Sequence, residues 1–143
     1  MTLSRSCFFY FLGKEIGSDG STCACMIRSS LTFAHRKAQV TSMSGSGLGA
    51  TRILVTADKV EFTEELILLD NEKRKFGYKI VEPAPFPVEN YGAKVVVDAE
   101  GEGCNITYTI WYDPKPEASE ELAEKFSGVA DSFISKAVAL ASK

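Results

Sequence analysis

Residues 104–141 read CNITYTIWYDPKPEASEELAEKFSGVADSFISKAVALA, and within this stretch the apolar period changes from two to nearly four. In its first part Ile106, Tyr108, Ile110 and Tyr112 fall on one face and Asn105, Thr107 and Thr109 on the other, the alternation of a half-buried strand. Trp111 shares the polar face and is the exception. Beyond Pro114 and Pro116, Leu122, Phe126, Val129, Ala130, Phe133, Ala137, Leu140 and Ala141 recur at spacings of three, four and seven, with Glu120, Glu121, Glu124, Lys125, Asp131 and Lys136 opposite them. That spacing predicts an amphipathic helix of roughly six turns. Acidic residues gather toward its start and lysines toward its end, as the helix dipole favours, and the prolines stand just before it.

Working back toward the N-terminus, runs rich in β-branched and aromatic residues predict further strands at 40–44, 49–57, 59–69, 75–82 and 90–98, besides 104–112. Turn chemistry separates them: Ser44-Gly45-Ser46-Gly47, Ala57-Asp58, Asp70-Asn71-Glu72-Lys73, a proline cluster, and Glu100-Gly101-Glu102-Gly103. Short connections between consecutive strands imply an antiparallel meander. Before Ala38 no period is sustained. There Ser6–Leu12 reads as a first strand, and Ser21–Leu31 is the one segment of 13–37 with any helical pattern. A long antiparallel sheet with one one-sided helix at its end is an α+β arrangement whose economical solution is a curled sheet with the helix across its concave apolar face.

The stretch 74–97, RKFGYKIVEPAPFPVENYGAKVVV, carries Pro83, Pro85 and Pro87 between two alternations. Prolines donate no ladder hydrogen bond, so they end one strand and make a stiff, wide crossing to the next, a candidate gate with Tyr91 as the first inward side chain beyond it. On the inward faces Phe76, Tyr78 and Ile80 oppose Lys75 and Lys79, and Tyr91, Ala93, Val95 and Val97 oppose Lys94 and Asp98. With Tyr108 and Tyr112, the inner face is rich in tyrosines. A buried phenol needs a partner. Either these tyrosines line a wet or ligand-filled cavity, or their hydroxyls reach the rim and solvent.

Composition excludes several function classes. A chain of 143 residues fits one domain, and 16 basic against 19 acidic residues give a formal charge of −3, spread too evenly for a polyanion-binding surface. No nucleic-acid partner is expected. Cys7, Cys23, Cys25 and Cys104 include a C-x-C pair with no second pair or histidine cluster to complete a zinc site, so reduced, unligated thiols and no metal are expected. Cys104 follows a glycine turn with no cationic neighbour to activate it. The single histidine, His35, sits in a basic patch with Arg36 and Lys37 and reads as a solvated loop residue rather than half of a catalytic relay. Gly45-Ser46-Gly47-Leu48-Gly49 lies between strands rather than before a helix, which argues against a nucleotide cofactor. No run reaches the ~20 apolar residues that span a bilayer, and the run Cys7–Leu12 is too short for a secretory signal, so no stable membrane insertion and a cytoplasmic location are expected.

The ordered set Gly47-Leu-Gly-Ala-Thr-Arg52, Glu64-Glu-Leu-Ile-Leu-Leu-Asp70, Phe76-Gly-Tyr-Lys-Ile-Val-Glu82 and Pro87-Val-Glu-Asn-Tyr91 resembles the polyketide cyclase/dehydrase-like branch of the START and Bet v 1-like (SRPBCC) superfamily. The resemblance covers residues 38–143, and residues 1–37 stand as an atypical N-terminal segment of the same domain. It implies a helix-grip fold: a curved antiparallel sheet wrapped around a long C-terminal helix, with a hydrophobic cavity between them. It implies, too, a small hydrophobic ligand such as a lipid or polyketide, no cofactor, and a monomer or weak homodimer.

Combined with strand and helix parity, the resemblance assigns the cavity lining to Leu54, Phe62, Leu66, Phe76, Tyr78, Ile80, Phe86, Tyr91, Ala93, Val95, Tyr108, Ile110, Phe126, Val129, Ala130 and Phe133. Arg52 groups with Leu54, and Glu64 with Phe62, Leu66 and Leu68, so both charges point into apolar surroundings where neither is affordable alone. A plant branch of the superfamily, the lachrymatory factor synthases, uses an arginine, a glutamate and a tyrosine at similar strand positions. By that likeness Arg52 anchors an oxyanion, Glu64 moves a proton and Tyr91 donates a hydrogen bond, as in a cofactor-independent cyclase, dehydratase or isomerase. The alternative is that Arg52 and Glu64 form a structural ion pair across adjacent strands. A bulge before Glu64 would instead turn Glu65 inward.

Overall fold

Brief polar turns between successive alternating runs leave each strand its sequence neighbour as the nearest partner, and the sheet is built that way. The computed structural model describes residues 1–10, 38–81, 83–100 and 103–141. Among these it holds strands β1 (Thr2–Tyr10), β2 (Ala38–Ser44), β3 (Thr51–Thr56), β4 (Glu61–Asp70), β5 (Lys75–Val81), β6 (Val88–Glu100) and β7 (Gly103–Pro114), and helix α1 (Leu122–Ala141). They form one curved antiparallel sheet in the order β1-β7-β6-β5-β4-β3-β2, so β2 to β7 meander and β1 joins the far side of β7. The fold is an α+β helix grip.

The first strand runs over Thr2–Tyr10, starting four residues ahead of the expected Ser6, with Leu3 opposite Ile110 and Cys7 opposite Ile106; Phe11 and Leu12 of the expected strand lie outside the described residues. The segment Ser21–Leu31, His35, Cys23 and Cys25 lie outside the described residues. Backbone conformation trims two of the expected strands. Gly45, Gly47 and Gly49 all adopt positive φ, so the small-residue loop runs on and β3 begins at Thr51 instead of 49. Lys59 is left-handed at φ 60°, which delays β4 to Glu61.

Bulges set which side chains face the core. In β4 the register slips between Leu66 and Leu68, so Ile67 is the extra residue. Phe62, Glu64 and Leu66 face inward, as expected, but Leu68 does not: it lies opposite Gly77, whose missing Cβ would stand 3.3 Å from the Leu68 Cβ. Leu69 takes the inward position opposite Phe76 and packs against the core. In β6 the register slips between Glu89 and Gly92, and Asn90 there is left-handed at φ 52°. Strict alternation from the buried Val88 would turn Tyr91 outward; the bulge restores it to the core, with Ala93, Val95 and Val97 following on the same face.

Helix α1 crosses the concave face. Leu122, Phe126, Ala130, Ile134 and Ala137 are buried, one per turn or so, and Phe133 is half-buried against the core. Phe126 meets Tyr112 at a ring-centroid distance of 4.8 Å, Tyr91 at 5.1 Å and Phe86 at 5.5 Å, each edge-on. Exchanging a phenylalanine so enclosed for alanine costs about 3–5 kcal/mol. Charged side chains complement the helix dipole only in part. Glu124 alone of the acidic residues occupies the first turn, and the last turn contains no basic residue.

Candidate functional site

Arg52 on β3 and Glu64 on β4 are direct cross-strand partners on the inner face. The alternation T-R-I-L places Arg52 on the same side as the buried Leu54, and E-F-T-E places Glu64 on the same side as Phe62. Two guanidinium nitrogens converge on one carboxylate oxygen: Arg52 Nε donates to Glu64 Oε2 over 2.7 Å, and the Nη2 to Oε2 distance is 2.5 Å. The side chains are 12% and 1% exposed, so the pair is desolvated. In such surroundings neither charge is stable without the other.

The bulge that could have exchanged Glu64 for Glu65 falls at Ile67, past both residues. Glu65 therefore points outward, where Lys79 approaches it at 3.4 Å in a half-exposed pair of small energetic weight.

Beside the ion pair lie three phenols. Tyr78 on β5 and Tyr108 on β7 flank β6 and are joined hydroxyl to hydroxyl by a short hydrogen bond. Ala93 stands opposite Tyr78 and Val95 opposite Tyr108, and the small alanine leaves room for the two hydroxyls to meet across the intervening strand. These two tyrosines thus satisfy one another inside the protein instead of reaching the rim. The Arg52 guanidinium carbon sits 5.5 Å from the Tyr78 ring centroid, within cation–π range.

Electrostatics ties the group together. Burial pushes the Tyr78 hydroxyl well above the usual phenol range, and Tyr108, Glu64 and Tyr91 add to it. Burial does the same to Tyr91, followed by Tyr108 and Glu64. Tyr108 is raised by burial; its bond with Tyr78 opposes the shift, Glu64 reinforces it and Arg52 opposes it, with burial prevailing. All three are therefore neutral hydroxyls near neutral pH, able to donate or accept a hydrogen bond but not to carry charge.

The remaining inner-face residues are brought together on one surface. Leu54, Phe62, Phe76, Ile80, Ala93, Val95, Ile110, Phe126 and Ala130 are buried in one apolar cluster, and Leu66, Phe86 and Phe133 pack against it half-buried. Val129 stands outside that cluster, half-buried, while Ile134 belongs to it. The Leu122, Phe126, Ala130, Ile134 ladder at spacings of four was the signal for Ile134. Phe86 comes from the proline crossing. Its ring lies 6.2 Å from Tyr91, 5.5 Å from Phe126 and 6.5 Å from Phe62, with the Lys125 ammonium 5.0 Å from its centroid. The crossing is tied down at its end, where the Lys115 amide donates to the Pro87 carbonyl over 2.9 Å.

Among the described residues no group of three His, Cys, Asp or Glu side chains could hold a metal ion, and no helix is long and apolar enough to cross a membrane.

Residues 29–141 match a protein family described as polyketide cyclase/dehydrase and lipid transport. Among curated proteins no significant sequence match is found. The fold is shared with solved structures of low sequence identity. A protein from Bacillus thuringiensis is 20% identical with a TM-score of 0.70, covering 96% of this chain and 95% of its own. The protein Ara h 8.0201 is 12% identical with a TM-score of 0.63, covering 97% and 98%. Norcoclaurine synthase from Thalictrum flavum, solved with dopamine and hydroxybenzaldehyde, is 16% identical with a TM-score of 0.58, covering 94% and 87%.

Proposed function

The chain belongs to the polyketide cyclase/dehydrase and lipid transport family, and on that premise we propose that it takes up a small hydrophobic or aromatic molecule between the sheet and the C-terminal helix. The observation that carries this reading is the polar group buried on the concave face: Arg52, Glu64, Tyr78 and Tyr108 lie among apolar side chains. A core built only for stability does better with well-packed apolar residues, since a buried ion pair is often matched or bettered by an apolar replacement. A polar floor under aromatic rings instead suits a ligand that is apolar over most of its surface and polar at one end. Norcoclaurine synthase, with the same fold, was solved with two aromatic molecules, dopamine and hydroxybenzaldehyde.

The ligand would meet Tyr91 and Phe86 first, with the proline crossing acting as a gate. We assign the protein to the cytoplasm, as a monomer or weak homodimer, with no nucleic-acid partner and no cofactor. Native mass spectrometry on protein purified from its own source tests the reading. A retained small molecule, lost on denaturation, is expected. A mass equal to the bare chain in every preparation, together with no uptake of added aromatic compounds, would overturn it.

A second reading is favoured by the position of Glu64 in the electrostatic neighbourhood of Tyr91. In it Arg52 holds a developing oxyanion, Glu64 transfers a proton and Tyr91 donates to the reacting oxygen, giving a cofactor-independent cyclase, dehydratase or isomerase. Turnover of a retained ligand that stops in Glu64→Gln while binding persists would support it; binding with no turnover would leave the first reading alone.

A further inference from the structure

The crossing between β5 and β6 is poor in backbone donors. Pro83, Pro85 and Pro87 have no N–H to give, so within 83–87 only Ala84 and Phe86 can donate a backbone hydrogen bond. At its end the Val88 amide donates to the Phe86 carbonyl over 2.7 Å and the Lys115 amide to the Pro87 carbonyl over 2.9 Å. Side-chain packing adds the rest: the half-buried Phe86 ring sits among Phe62, Tyr91 and Phe126, the last edge-on at 5.5 Å. Over that ring stands the exposed Lys125, its ammonium 5.0 Å from the centroid. Lys125 and Phe126 are consecutive residues of α1, so the helix grips the crossing with one cation and one aromatic edge. Among the described residues no carboxylate is ion-paired with Lys125, and the ring is the partner its ammonium has.

We propose that Lys125 is the latch of this crossing: its ammonium holds the Phe86 ring in place and so sets how fast an aromatic molecule passes into and out of the space beneath. The proposal rests on the ligand-binding reading above and on the gate role of the crossing within it. Phe86 cannot swing outward without leaving the ammonium, whereas Tyr91 and Phe126 are fixed by strand and helix. The cation–π contact is made while the crossing is closed and lost when it opens, so it raises the barrier to opening. It is made whether or not a ligand lies beneath. Arrival and departure therefore slow together, and affinity hardly changes. At an exposed site a contact of this kind changes a rate by about two- to fivefold.

Stopped-flow fluorescence with 2-acetylnaphthalene reads both rates. In Lys125→Met, which keeps an apolar stem and removes the charge, association and dissociation are each expected to quicken about two- to fivefold, with the dissociation constant changed by less than about twofold. Lys125→Arg keeps a cation that can lie over the ring and is expected to match the parent. Adding Lys125→Met to Phe86→Leu tests the contact itself. Leucine fills much of the same space without a π face, so against that background the charge substitution is expected to change neither rate. Parental rates in Lys125→Met, an acceleration in Lys125→Arg as large as in Lys125→Met, or an acceleration that persists on Phe86→Leu would each overturn the latch and leave ligand binding standing. Absence of 2-acetylnaphthalene binding by the parent up to about 1 mM overturns the reading beneath it, and the inference with it.

Discussion

Removal of Glu64 separates the structural and functional roles of the buried pair. In Glu64→Leu the 12%-exposed Arg52 side chain remains in place without its carboxylate. Two charge-assisted contacts converge on Glu64 Oε2, and each such bond contributes about 1.5–3 kcal/mol, so their loss predicts about 3–6 kcal/mol. Breaking one partner of a buried ion pair typically costs about 3–5 kcal/mol, which agrees. We therefore expect a loss of about 4 kcal/mol. With a urea slope near 2 kcal/mol per molar, the unfolding midpoint falls by about 2 M. The double substitution Arg52→Met/Glu64→Leu removes both charges together and is expected to return to within about 1 kcal/mol of the parent or exceed it. Urea unfolding followed by circular dichroism reads Glu64→Leu, Arg52→Met and the double variant, with an unchanged slope as the check that the denatured state is the same. A single substitution costing less than about 1 kcal/mol, or a double costing the sum of the two singles, would refute the reasoning. If the double variant folds as expected but takes up aromatic ligands more weakly than the parent, the pair is retained for recognition rather than stability.

Other perturbations test other parts of the molecule. In Gly92→Ala the new Cβ would stand 2.3 Å from Trp111 Cζ2 and 2.5 Å from Cε2, so the indole must move; a loss of about 1–3 kcal/mol is expected, with a shift in the emission of the single tryptophan, and unchanged stability and emission would contradict it. Because Tyr78, Tyr91 and Tyr108 have hydroxyls raised above the ordinary value of 10, they stay protonated where unfolded tyrosines ionise. The unfolded chain then binds fewer protons than the folded one, so stability is full below about pH 10 and declines above it. Ultraviolet titration should show these phenols ionising only with alkaline unfolding; their ionisation near pH 10 in a folded chain would refute this. Asn90→Val forces a β-branched residue into a left-handed conformation and breaks the 2.7 Å bond to Asp113, for an expected loss of about 1–3 kcal/mol in urea unfolding, against near neutrality for Asn90→Gly. Phe86→Ala should speed both arrival and departure of a neutral naphthalene in stopped-flow fluorescence, and unchanged rates would remove the gate role of the proline crossing.

Much of this architecture is written in periodicity. Ile106, Tyr108, Ile110 and Tyr112 alternate so regularly that their burial followed directly, and the ordered motifs from Gly47 to Tyr91 pointed to the family. Arg52 and Glu64 were legible as inward charges because each shares parity with a large apolar neighbour. What escaped was decided by the backbone. A bulge at Ile67 exchanged Leu68 for Leu69, and nothing in L-I-L-L-D distinguishes one leucine from the next. Asn90 hid a second phase shift, and only its tolerance of left-handed φ hints at it. Tyr78 and Tyr108, thirty residues apart, meet only because β5 and β7 flank the same strand. A two-strand register is local information, whereas a pair reaching across a third strand is not.

The pairing of β1 with β7 also fixes the order in which the molecule can be made. The Met1 ammonium donates to the Tyr112 carbonyl 111 residues away, and the Tyr112 amide returns a bond to Met1. On the ribosome β1 emerges long before its partner, so β2 to β6 can assemble as successive hairpins while β1 waits with its backbone unsatisfied. Closing that longest loop, and laying α1 over the aromatic layer, must wait until β7 and α1 have been made. Until then Tyr78, Tyr91 and the apolar face around them are open to solvent. The half-made sheet is the state in which this chain is most exposed to aggregation, and the one a chaperone would meet.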